Sequence, residues 1–151
     1  MAAVAHDRAR AAAAGAAAAT VWGLLEPLDK RLFRHDYSDV ALLGKLVTRG
    51  RGWRAAGFAL HGFNGALFGL AFHELRRRLD AEPRRLALAL ALLENVALYP
   101  LGVLVDRRHP ARGQPGLAPL LSLRAFAQET ARHAVFGLVL GRLVSGARRG
   151  R

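Results

Sequence analysis

The chain contains no cysteine. That absence removes disulfide frameworks, thiolate metal sites and cysteine nucleophiles together. Acidic residues are scarce as well: 11 Asp and Glu stand against 23 Lys and Arg, for a net charge of +12. Such a surplus first raises nucleic-acid binding. A DNA-reading helix, however, interleaves its arginines with apolar residues along one face, and single-strand binders add stacking aromatics. Here aromatic residues are only 7 % of the chain, and the arginines flank apolar blocks, as in RGRGWR (49–54), RRR (76–78), RR (84–85) and DRR (106–108). No nucleic-acid motif is present, so nucleic acid is disfavoured as a partner. Catalytic signatures are missing too. There is no Gly-x-Ser-x-Gly, Walker loop, zincin helix or paired-carboxylate pattern, and the expectation is a protein that is not an enzyme.

What the chain does have is long uncharged stretches. Residues 55–73 carry no Asp, Glu, Lys or Arg, residues 86–105 carry only Glu94, and the alanine-rich 11–25 carries none. Apolar runs of about 20 residues separated by arginine-rich joints predict an all-α, four-helix transmembrane bundle. The whole chain, 1–151, reads as a single integral membrane domain with spans at about 10–28, 54–75, 85–105 and 125–145. Alanine contributes little to insertion, so the first span leans on its neighbours. The fourth holds Glu129, Arg132 and His133. A central arginine costs about 2.5–3.5 kcal/mol on insertion scales, and Glu129, three residues earlier on the same face, offsets part of that.

Arg8 and Arg10 ahead of the alanine run resemble the start of a signal peptide. No small-residue cleavage site followed by a mature domain comes after it, so the run is read as an uncleaved first span. The Ala, Arg, Leu and Gly bias suits a GC-rich bacterial genome. The expected location is therefore a bacterial cytoplasmic (inner) membrane, multi-pass, with the arginines drawn to anionic lipid headgroups.

Between the first two spans, DYSDVALLGKLV (36–47) offers Asp36 or Ser38 as an N-cap and Val40, Leu43 and Val47 on one face. This predicts a short interfacial helix in the first loop, with Trp53 anchoring the next span at headgroup level. HPARGQPGLAP (109–119) is proline- and glycine-rich and reads as a loop, after which LAPLLSL (117–123) skims the interface. Glu26 beside Pro27, and His73–Glu74, are expected near span ends at the interface.

Two short patterns recur. HGFNGALFG (61–69) and HAVFGLVLG (133–141) share His-x-x-x-Gly-x-x-x-Gly at an offset of 72, and LEPL (25–28) and LYPL (98–101) share Leu-x-Pro-Leu at an offset of 73. Nearly equal offsets predict two tandem helical hairpins from a duplication. Each hairpin has two spans, so both insert in the same orientation. Lys and Arg then divide eleven to each side of the membrane, with Arg132 inside it, and the positive-inside rule does not choose between them.

Residues four apart share a helix face. Gly15 and Gly23 in the first span form such a row, as do Gly57, His61, Gly65 and Gly69 in the second and Glu129, His133, Gly137 and Gly141 in the fourth. Small residues at this spacing let backbones approach closely where no hydrophobic effect acts between helices. His61, Asn64, Glu94, Asn95, Glu129, Arg132 and His133 then form a candidate intramembrane polar site facing the bundle interior. The foremost expectation is a structural or accessory bundle of otherwise unknown activity, associating with itself or with a larger membrane complex. The alternative is a small transporter or proton/ion-conducting protein that uses the intramembrane His and Glu. Two lesser readings are bis-His haem ligation by His61 and His133, and a metal held by both histidines with Glu94. The residues fix no cofactor.

The two His-Gly runs resemble those of small bacterial inner-membrane proteins of the YagU-like kind, which carry a histidine ahead of a glycine pair in glycine-rich spans. The resemblance covers the second and fourth spans and implies location and architecture. It implies no catalytic residue.

Overall fold

The computed structural model describes residues 2–79 and 81–146. It is helical throughout: α1 spans Ala2–Phe33, α2 Asp39–Val47, α3 Trp53–Arg76, α4 Pro83–Leu98, α5 Gly102–Arg108 and α6 Leu123–Gly146. A 3-10 turn at Tyr99–Leu101 joins α4 to α5. Among the described residues there is no strand, only an isolated bridge between Tyr37 and Leu117.

Three helical stretches are long and apolar enough to cross a membrane: Ala5–Phe33, Trp53–Arg76 and Pro83–Arg108. α6 matches α3 in length at 24 residues but does not join them, and Arg124, Glu129, Arg132 and Arg142 lie along it. The first helix extends well past the expected 10–28 at both ends, and Pro27 sits inside it rather than ending it. Pro100, its counterpart in LYPL, instead interrupts the helix with the 3-10 turn.

α1 is the centre of the packing, against α3 on one side and α6 on the other, and α4 packs on α6. Glycines set how close these pairs come. A Cβ on Gly15 would collide with the Gly65 carbonyl, and one on Gly69 with the Ala11 carbonyl. On the other pair, Gly137 lies against the Leu88 backbone and Gly141 against Arg84. Gly23 accommodates the Phe58 ring, and Gly57 the Val40 backbone. α3 and α4, although consecutive, scarcely touch. The helices therefore run in the spatial order α3, α1, α6, α4, with a gap where α3 and α4 would meet. A shared core of Ala18, Ala19, Trp22, Phe72, Ala87, Ala91, Phe136 and Leu140 draws on all four.

The loops at one end form a cap. Ser38 is the N-cap of α2, its Oγ accepting the Ala41 N–H at 2.9 Å. The buried side of α2 is Val40, Ala41, Gly44 and Lys45, not the expected Val40–Leu43–Val47 face, and Val47 is 65 % exposed. Gly44 explains the rotation: it presses its backbone against the Trp53 carbonyl, which turns the neighbouring residues inward. The 109–119 segment folds over α2. Lys45 Nζ donates to the Pro115 carbonyl at 2.7 Å, and Gly116 N–H donates to Asp36 Oδ2 at 2.8 Å. The His109 imidazole accepts the Ala111 N–H on Nδ1 and donates from Nε2 to the Leu42 carbonyl at 3.0 Å. Residues 117–122 form no surface helix. The N–H groups of Leu120 and Leu121 are taken up by the Asp106 carboxylate, which holds the segment against the end of α5.

Candidate functional site

Glu129 and Arg132 lie one turn apart on α6 and pair at 2.9 Å, but they are part of a larger cluster. Arg132, only 3 % exposed, makes two 2.7 Å bonds to Asp29 of α1, one of 2.9 Å to Asp39 of α2 and one of 2.9 Å to the Tyr37 carbonyl. Gln128 adds an amide donor to Asp29 and reaches the His35 carbonyl. Three carboxylates and a backbone carbonyl thus surround one guanidinium, whose fixed fork of donors suits such multiple contacts. Tyr37 lies beneath it, its ring centroid 5.6 Å from the guanidinium carbon. Burial pushes the Tyr37 phenol well above its ordinary value, reinforced by the neighbouring Asp39 charge. Glu26, expected at the interface, is buried: its carboxylate accepts the Ser38 hydroxyl and the Val40 N–H and so fixes the start of α2 to α1.

Above this cluster is a cavity of about 310 Å³ between α1, α3, α4 and α6. His61, Asn64, Glu94, Asn95, Glu129 and His133 all line it, so six of the seven expected polar residues meet in one space. Arg132 stands behind its wall. The two histidines share a neighbour that the sequence reading did not single out. The Trp22 indole packs edge-on against both, with ring centroids 5.1 Å from His61 and 4.6 Å from His133. A pattern pointing to Trp22 was present in the sequence: Ala11, Gly15, Ala18, Trp22, Glu26 and Asp29 repeat at helical spacing, and this row forms the inner face of α1.

The histidines differ in their bonding. His133 Nδ1 donates to the Glu129 carbonyl at 2.8 Å, which turns Nε2 toward Glu94 Oε2 at 3.8 Å. His61 Nε2 is buried without a hydrogen-bond partner, as is the Trp22 indole N–H, and the His61 ring only approaches the Ala19 carbonyl. Asn64 makes no bond to His61. Asn95 bonds across to Thr130 on α6 at 2.9 Å, tying α4 to α6. Among the described residues no three His, Asp or Glu groups converge closely enough to hold a metal, so the arrangement of two histidines with Glu94 is not formed. The physical reason is that Glu94 faces His133 while Trp22 occupies the space beside both imidazoles.

Glu94 is the unusual charge of the site. Asp39 and Glu129 each pair with the Arg132 guanidinium, whereas Glu94 has no Lys or Arg partner among the described residues, and no Lys or Arg lines the cavity. The wall between α3 and α4 is incomplete, and Asn64 and Leu98 beside it are exposed. No protein-family model matches the chain, and comparison with curated proteins and with solved structures finds no match.

Proposed function

We propose that this protein is a small transporter or proton/ion-conducting protein of a bacterial cytoplasmic membrane, with four spans arranged as two tandem hairpins and His61, His133 and Glu94 as its working groups. The observation that carries the reading is Glu94: a carboxylate without a Lys or Arg partner among the described residues, 3.8 Å from an imidazole, in a cavity lined by α6 and by three helices apolar enough to cross a membrane. Ionisable groups at such depth are costly and mark paths for ions or protons. In His133, Nδ1 is committed to a carbonyl, so Nε2 and the carboxylate share one site for a proton. The glycine contacts fit the scaffold reading equally well, since any compact bundle needs them. A scaffold alone, however, gives no reason to set Glu94, without a Lys or Arg partner among the described residues, beside His133 in the cavity. Association with a second copy or a larger complex is compatible with either.

Proteoliposomes with a trapped pH dye test the reading. Wild-type protein is expected to dissipate an imposed pH gradient, and Glu94→Gln and His133→Ala to slow this at least tenfold while melting like the wild type. Variants that keep full flux, or that lose their helical melt together with flux, return the protein to the scaffold reading.

A further inference from the structure

The chemistry of the cavity is one-sided. Its charged lining is entirely acidic, Asp39, Glu94 and Glu129, and the first and last of these share one guanidinium, that of Arg132, with Asp29. Glu94 alone of the three has no Lys or Arg beside it among the described residues. Around it stand five aromatic rings, Trp22, Tyr37, Phe68, Tyr99 and Phe136. Aromatic faces attract cations, and the attraction grows as water is excluded. A volume of about 310 Å³ lies at the small end of sites for organic ligands, which run about 300–1,000 Å³. The gap between α3 and α4 opens beside Leu98 and Leu101, both about half exposed, and a guest entering there arrives through apolar surroundings.

Building on the transport reading, we infer that the cavity binds a small lipophilic organic cation, an ammonium carried on an apolar body, with Glu94 as its counter-ion and the Trp22 side of the cavity as its aromatic wall. A hydrated metal ion fits less well, because among the described residues no cluster of ligands converges to replace its water. An anion meets three carboxylates and no Lys or Arg in the lining. A neutral aromatic molecule fills the same volume but leaves Glu94 unpaired, and charge therefore decides between the two.

The chain has two tryptophans, Trp22 in the cavity and Trp53 at the start of α3, so Trp53→Phe leaves Trp22 as the only indole reporter. In lipid nanodiscs, this variant is titrated with benzyltrimethylammonium and with neopentylbenzene, its uncharged carbon isostere. The expected result is saturable quenching of Trp22 by the cation and binding of the isostere at least tenfold weaker. Adding Glu94→Gln is expected to abolish the preference while leaving the unliganded emission unchanged. Equal binding of cation and isostere, a preference that survives Glu94→Gln, or no saturable binding by either overturns the inference. Protons crossing proteoliposomes of a protein that binds no cation would remove this inference and leave the transport reading standing, whereas saturable cation binding without proton flux would keep this inference and remove the proton-conducting form of that reading.

Discussion

At Gly15 a single added methyl group would meet the Gly65 carbonyl, whereas at Gly62, one turn along α3 from the contact, it would meet nothing within 4 Å. The two positions separate packing from helix propensity. Gly15→Ala should force α1 away from α3 and cost about 1–3 kcal/mol or more, as overpacking does. Gly62→Ala should be neutral or stabilising by up to about 1 kcal/mol, because alanine restricts the unfolded chain and favours helix. Thermal melts in one detergent, followed by helical ellipticity, check both, and a Gly15→Ala protein as stable as wild type would contradict the close approach. Asp36 supplies a pH dependence at the same scale. The Gly116 N–H and then Lys30 hold its carboxyl below the ordinary aspartate range. A lowered value means that the contribution is complete above the unfolded value of about 3.9 and is lost as pH falls through the lower native one. The difference in melting temperature between wild type and Asp36→Asn should therefore be constant near neutrality and shrink only below about pH 4. Shrinkage beginning at pH 6 would point to another group.

At the scale of elements, α6 depends on its partners. Arg132 is held by Asp29, Asp39 and Glu129, from three different helices. Removing one member of such a buried cluster strands the remaining charges, typically at about 3–5 kcal/mol. Arg132→Met is expected to lower the melting temperature sharply and to free the 109–119 segment, which a protease cutting after Arg112 would report. Replacing all four charged residues together with apolar ones should recover much of the loss, which would assign the penalty to unpaired charge rather than to lost volume. The Glu129–Arg132 pair was legible from its spacing, as were the glycine rows that bring α1 to α3 and α4 to α6. Asp29 and Asp39 were not, because nothing in the sequence relates residues about a hundred positions apart except a fold. The face of α2 was misread for a similar reason. Hydrophobic spacing picked Val40, Leu43 and Val47, but Gly44 and Gly57 chose the contact by letting backbone meet backbone. The meeting of polar residues in one cavity was foreseeable from their shared depth. Trp22 lay on the legible inner row of α1, but its place between the two histidines needed the packing of α1 against both α3 and α6.

For the whole molecule, the two ends of the bundle are distinct. Arg8 near the start of α1 pairs with Glu74 near the end of α3 at 2.6 Å, and Gly141 near the end of α6 lies against Arg84 at the start of α4. Both ends of the described chain, the end of α3 and the start of α4 therefore lie together, opposite the cap. If α6 crosses the membrane with the other three, reporters fused to the two termini must fall in one compartment. Opposite compartments would mean that α6 lies on the surface and that three spans are the full number. An equal Lys and Arg count on the two sides leaves the choice of compartment open to a few residues, and moving two arginines from the 49–54 segment to the 84–85 joint is expected to shift it.

The same cluster around Arg132 also fixes an order of events during synthesis. α1, α2 and α3 leave the ribosome first and can close on one another through Gly15, Gly65, Gly44 and Gly57 with no contribution from later residues. At that stage Asp29 and Asp39 face each other across an unfilled socket, two acids waiting for a base. Of the described helices α6 is made last and is the poorest candidate to enter lipid unaided, yet it carries the guanidinium that fits. If α6 crosses the membrane, its arginine is thus less a burden on insertion than a key cut for a lock already assembled, and a chain halted before residue 123 should leave that lock open, repelling itself and ready for proteolysis.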